Sequence, residues 1–130
     1  MRIGLDTNIY SDFQMGRLQS LVEEIYNADF IVLPFIVDAE LRAGFKKGQN
    51  EEGNIAKLIK FKSMDRVEVI LPDEQTTEYY AKNWSDLSWK GKPIPINDVW
   101  IAAICLQHNL VLATRDAHFK SVTYLQILSP

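Results

Sequence analysis

The chain has 130 residues, of which 47% are hydrophobic and 24% charged, and its formal net charge is −3. That size predicts one domain over residues 1–130, and that balance excludes disordered, fibrous and strongly basic classes. The longest unbroken apolar stretch, Val99 to Leu106, is far short of the ~20 residues of a membrane span, and the lone Cys105 cannot form an internal disulfide.

The chain opens directly on an apolar run, Met1 to Leu5, with no basic leader before it. Export is therefore not expected, and a reducing cytoplasm fits the cysteine usage. Apolar runs of strand length then alternate with helical patterns, which predicts an α/β fold with a parallel sheet and crossover helices. Strands are expected near residues 1–5, 29–33, 67–71, 110–114 and 124–128. Helices are expected near 17–28, 34–47, 51–64, 73–87 and 97–108. In the first of these, Leu18, Leu21, Val22 and Ile25 recur at 3.6-residue spacing. Gly48-Gln49-Asn50 should turn one helix into the next, and Trp89 to Pro95, with two prolines and a glycine, should form a loop.

Charge is unevenly spread. Arg42, Lys46, Lys47, Lys57, Lys60, Lys62 and Arg66 crowd one segment, against only Glu51, Glu52 and Asp65. This basic helical hairpin is either a pair of solvated faces or a surface for a polyanion.

Four acids stand out by position. Asp6 closes the first strand, Glu40 follows the strand Phe30 to Leu33, Asp98 heads the helix that begins Val99-Trp100-Ile101, and Asp116 follows the strand Leu110 to Ala113. In parallel α/β sheets, ligands bind outside the carboxyl ends of the strands. Acids gathered there repel one another unless a cation neutralises them, which predicts a site for a hard divalent ion. Each acid also has a plainer reading. Asp6 could form an Asx-turn or cap with Thr7 and Asn8, and Asp98 could serve the helix N-terminus beside a capping Asn97. Asp116 could be a turn residue. Glu40 shares a helical face with Ile36 and Ala43, whereas exposed acids belong on the opposite face with Asp38, so Glu40 needs a metal or an arginine. The set of four, one per element and all at one edge, argues for the site.

Other chemistries lack their residues. His108 and His118 have no Cys or His companions for zinc, Cys105 has no activating partner, and Gly4 belongs to no phosphate-binding loop.

The quartet sits within Leu5-Asp6-Thr7-Asn8, Glu40-Leu41-Arg42-Ala43-Gly44, Asn97-Asp98-Val99-Trp100 and Ala113-Thr114-Arg115-Asp116-Ala117-His118-Phe119. In order and spacing these resemble a PIN domain, and more narrowly the short VapC-type toxins of prokaryotic toxin–antitoxin pairs. The resemblance spans nearly the whole chain. It implies a three-layer α/β/α sandwich around a parallel sheet, and a ribonuclease site dependent on Mg²⁺ or Mn²⁺. It further implies an RNA substrate, a small antitoxin partner and a homodimer. Asp6, Glu40, Asp98 and Asp116 would be its catalytic and metal-binding acids, with Asn8 and Thr114 in support. Many relatives carry Asn where this chain has Asp116, followed by an acid a few residues on. Here His118 and Phe119 hold that place.

The expected chemistry is metal-assisted hydrolysis of an RNA phosphodiester. Arg42, Lys46, Lys47, Lys57, Lys60 and Arg115 would contact the phosphate backbone, and Trp89 would serve as a core, dimer or base-stacking residue. Two rivals are an aspartyl phosphotransferase resembling the haloacid dehalogenase group and a PIN-like binding module without catalysis. The first usually wants a second acid two residues after the nucleophile, where this chain has Asn8.

Overall fold

Both faces of the first strand must be apolar if helices are to cover both sides of the sheet; Ile3 and Leu5 are fully buried on one, and Gly4 on the other faces Cys105 and Leu110. The structure, a computed structural model, describes residues 1–130. Its strands are β1 (Arg2–Leu5), β2 (Phe30–Pro34), β3 (Val67–Ile70), β4 (Val111–Ala113) and β5 (Ile127–Leu128). They form one parallel sheet in the order β3-β2-β1-β4-β5. In register, Ile3 lies opposite both Ile31 and Val111.

The helices are α1 (Thr7–Gln14), α2 (Val22–Asn27), α3 (Phe35–Lys47), α4 (Glu51–Lys62), α5 (Glu74–Trp89) and α6 (Ile96–Gln107), followed by a 3-10 turn at Ala117–Ser121. The chain steps outward from β1 to β3, then crosses back to place β4 on the other side of β1. Right-handed crossovers in opposite directions put their helices on opposite faces, giving the expected three layers. Tyr10 of α1 meets Phe61 of α4 edge-on at 5.1 Å on one face, and Tyr80 of α5 packs on Trp100 of α6 at 4.2 Å on the other. The reversal leaves a switch point between β1 and β4, where the loops diverge and a crevice opens.

Close packing beneath that crevice depends on small residues. A Cβ added to Gly4 would lie 3.2 Å from the Cys105 sulfur, so α6 rests almost on the backbone of β1. Ala102 and Ala103 of α6 are fully buried, as their size predicts. Cys105 is sealed in the same layer, and burial, with Asp6 nearby, pushes its thiol up to about 12.

The sequence reading erred near the N-terminus. A helix follows Asp6 immediately, and the stretch expected as a helix over 17–28 is helical only at Val22–Asn27. Gly16 and Leu21 both take left-handed backbone conformations, at φ +69° and 67°, which break the chain on either side of Leu18. The missed signal is Ile9, Tyr10 and Phe13, spaced as an apolar face behind a capping aspartate. The hairpin of α3 and α4 turns where expected, with Gly48 closing the first helix and Asn50 opening the second.

Candidate active site

Asp6 stands at the carboxyl end of the central strand, one residue beyond its last ladder position. Its backbone N–H donates to the Ala113 carbonyl at 3.0 Å, which locks the end of β1 to the end of β4. The residue is 8% exposed. Its Oδ1 accepts from the Thr7 amide at 2.8 Å, so the capping reading holds, and its Oδ2 accepts from the buried Thr114 hydroxyl at 2.7 Å. Capping and site roles coexist, because a carboxylate has lone pairs beyond these two bonds. Burial lifts its pKa above the ordinary carboxylate value; the Thr114 and Thr7 bonds oppose that rise, and Glu40 and Asp116 add to it.

Glu40 arrives from the second turn of α3. The Thr7 hydroxyl donates to its Oε1 at 2.8 Å, and the Asn97 amide approaches its Oε2 at 3.5 Å. Thr7 bonds both Asp6 and Glu40, whereas Asn8, expected as a support, is exposed and makes no side-chain bond to the acids. The face assignment on α3 also changes. Val37 and Leu41 form the buried stripe, Ala43 is exposed, and Glu40 lies on the flank that borders the crevice. Asp38 is no free surface acid, since Arg42 Nε donates to it at 3.1 Å and Lys62 Nζ at 2.9 Å.

Asp98 occupies the first turn of α6, but it caps nothing. Pro95 is the N-cap residue, and no side chain caps this helix. Asn97, expected as the cap, turns instead to Glu40. The Asp98 side chain is 13% exposed, with Oδ2 3.5 Å from His118 Nδ1. Asp116 opens the 3-10 turn. Its backbone N–H donates to Thr114 Oγ1 at 3.0 Å, and its Oδ1 accepts from the His118 amide at 2.9 Å. The same oxygen lies 3.1 Å from His118 Nδ1.

The four acids are thus joined through two threonines and a histidine. Thr7 bridges Glu40 to Asp6, Thr114 bridges Asp6 to the Asp116 backbone, and His118 lies between Asp116 and Asp98. Asp98 carries the electrical consequence. Burial first, then Asp116, Asp6 and Glu40, raise its pKa to about 6, against a smaller opposing pull from His118. Carboxylates that disfavour one another's ionisation form a donor set that a divalent cation neutralises, so these residues fit a metal. Oxygens of Asp98 and Asp116 and a His118 nitrogen all lie within 4.8 Å of one another. His118, set aside in the sequence for want of Cys or His companions, belongs at this site; its companions are carboxylates.

The basic residues divide. Arg42 pairs with Asp38 at 3.1 Å, Lys46 with Glu51 at 2.7 Å, and Arg115 with the largely buried Asp12 at 2.5 Å. Arg66 donates to the carbonyls of Ile25 and Ala28, a structural task. No ion pair engages Lys47, Lys57 or Lys60, all exposed. Lys57 and Lys60 line an open groove of about 430 Å³ with Phe13, Tyr26, Phe61 and Met64. That groove borders the C-terminal end of α1, whereas the acids gather at its N-terminal end, roughly 10 Å away along the helix. Trp89, considered for the core, is 89% exposed.

The chain is similar to known proteins of one family. The sequence pattern of the PIN domain matches residues 3–124. The chain is 36% identical over 126 residues to Ribonuclease VapC1 of Haemophilus influenzae strain R2866, covering 94% of this chain and 92% of that protein. Among solved structures it resembles VapBC2 of Rickettsia felis bound to a promoter DNA fragment, at a TM-score of 0.87 and 30% identity, covering 99% of this chain and 98% of the other. VapBC-1 of nontypeable Haemophilus influenzae gives a TM-score of 0.87 at 34% identity, with the same coverage.

Proposed function

We propose that this chain, which belongs to the PIN-domain family, is a divalent-metal-dependent endoribonuclease and the toxin of a toxin–antitoxin pair. PIN-domain nucleases generally use divalent metals, and Mg²⁺ or Mn²⁺ is the ion proposed here. One observation carries the reading: Asp6, Glu40, Asp98 and Asp116 converge at the switch point of the sheet, where burial and then the three other acids raise the Asp98 pKa to about 6. The family assignment removes the phosphotransferase alternative. A non-catalytic module would have no physical reason to keep four mutually repelling acids.

Asp6, Glu40, Asp98 and Asp116 would hold the ion, some directly and some through water, since Mg²⁺ usually keeps several of its waters. A divalent ion there would supply Lewis acidity to the phosphoryl oxygens and a more acidic water. The residues do the remaining work. Thr114 and Thr7 fix the Asp6 carboxylate, while Thr7 and Asn97 orient Glu40. A carboxylate of the cluster aligns the attacking water and takes its proton as the new bond to phosphorus forms. The bond from phosphorus to the leaving oxygen then breaks, and that oxygen takes a proton back from the carboxyl group.

Lys47, Lys57 and Lys60 are the proposed phosphate contacts. Arg42, Lys46 and Arg115 would first have to leave their ion pairs. No helix is long and apolar enough to cross a membrane, and we place the protein in the cytoplasm, as a homodimer when free.

The test is cleavage of RNA by Asp6→Asn and Asp98→Asn, each expected to lose at least ~100-fold in rate with an unchanged circular dichroism spectrum. Near-native turnover by both variants would refute the assignment. Suppression of cleavage by the product of a small reading frame beside the gene tests the toxin–antitoxin part.

A further inference from the structure

The quartet of acids leaves one group at the site without a role. His118 reaches it from a turn that is well fixed. Its own amide is bound to Asp116 Oδ1, and the next residue, Phe119, is fully buried. The imidazole is therefore held over the Asp98–Asp116 end of the crevice, with the side chain 54% exposed and one edge open. Its Nδ1 lies 3.1 Å from an Asp116 oxygen and 3.5 Å from an Asp98 oxygen.

These separations are short enough for donors that share an ion. Around an octahedral dication with bonds of ~2.1 Å, neighbouring donor atoms stand about 3 Å apart. A His118 nitrogen and one oxygen each from Asp98 and Asp116 lie within 4.8 Å of one another, whereas the bonds to Asp6 and Glu40 come only from hydroxyls and amides. Oxygen donors suit Mg²⁺, and imidazole suits first-row transition metals.

We propose that His118 is a metal-ligating residue that gives this site a preference for Mn²⁺ over Mg²⁺. The proposal rests on the metal-dependent reading above and deepens it. The competing role is electrostatic: a positively charged His118 that only quiets the repulsion between Asp98 and Asp116. The two roles differ in what bound metal does. A ligand nitrogen discriminates between ions, and an electrostatic partner does not.

The experiment is titration of the full-length, metal-free protein with MnCl₂ and with MgCl₂ by calorimetry, in the natural chain, His118→Ala, His118→Gln and Asp98→Asn. Loss of the imidazole should weaken Mn²⁺ binding about 10-fold and leave Mg²⁺ binding within about 2-fold. Pulsed electron paramagnetic resonance of the Mn²⁺-loaded natural chain should show coupling to a nitrogen nucleus that both His118 variants lose. Equal weakening for both ions, or no nitrogen coupling in the natural chain, would overturn the proposal. If Asp98→Asn abolished binding of both ions in that same case, the metal-dependent nuclease reading would stand without it. If Asp98→Asn left Mn²⁺ binding intact, that reading would fall, and the proposal with it.

Discussion

Replacing Asp98 by Asn should stabilise the metal-free protein while destroying its metal response. Burial and three neighbouring acids raise the Asp98 pKa from 3.8 to about 6. In the unfolded chain the group ionises near its ordinary value, so between those two pH values the folded state holds the proton more tightly. Stability from this residue is therefore fully present below the unfolded pKa and is lost as pH rises through about 6. A rise of about two pKa units corresponds to roughly 3 kcal/mol of destabilisation at neutral pH. That figure is an upper limit, because the four acids titrate together and the Asn variant loses the contact with His118. A net gain of about 1–2 kcal/mol is expected at pH ~7.5, a rise in Tm of about 5 °C for a chain of this length. At pH ~4 the gain should vanish, since the natural Asp98 is then protonated as well. Urea unfolding in chelator at both pH values measures this directly. Millimolar Mn²⁺ should then raise the Tm of the natural chain by mass action and barely move that of the variant. An Asn variant no more stable than the natural chain at pH ~7.5, or a difference that ignores pH, would refute the reasoning.

Thr114→Val should cost about 1–3 kcal/mol and reduce cleavage, because it removes a donor from the buried Asp6 carboxylate and the acceptor for the Asp116 amide; denaturant melts with matched RNA assays check both effects. Changing Lys47, Lys57 and Lys60 together to Gln should leave cleavage of a very short oligonucleotide nearly intact. The slope of log affinity against log salt for a longer RNA should fall by roughly 0.7 per lost contact, and an unchanged slope would make these lysines solvated surface. Cys105, fully buried with its thiol pushed up to about 12, should resist alkylation at neutral pH until the protein unfolds, as mass spectrometry along a urea series would show.

The sheet was legible because parallel strands covered on both faces need runs of apolar residues, and Ile3, Leu5, Ile31, Leu33 and Leu112 supply them. The acids were legible because strand ends in such sheets are where ligands bind, and their side chains do converge. What the sequence hid is finer. Periodicity alone joined Leu18 to Val22 and Ile25 across a break made by left-handed Leu21, since backbone conformation at a leucine leaves no compositional trace. The α3 reading put Glu40 on a core stripe and Asp38 in solvent because spacing identifies a face without saying what lies opposite it. Only the packed structure shows Lys62 reaching Asp38 from the neighbouring helix. Likewise Asn8 and Thr7 are equally plausible supports by type, and the direction in which α1 starts selects Thr7.

His118 shows most sharply how a motif differs from a site. Metal centres are often sought in sequence as clusters of one ligand class, and a lone histidine among acids matches none of them. Its position two residues after Asp116, with buried Phe119 behind it, brings imidazole and carboxylate together through one turn of 3-10 helix. That short path matters for the electrostatics. The same turn that adds Asp116 to the three other acids also sets the imidazole against Asp116 and Asp98, where its contact draws the Asp98 pKa down. Burial, with the repulsion from Asp116, Asp6 and Glu40 behind it, outweighs that contact and holds Asp98 near 6, and the repulsive part is what a divalent cation would relieve.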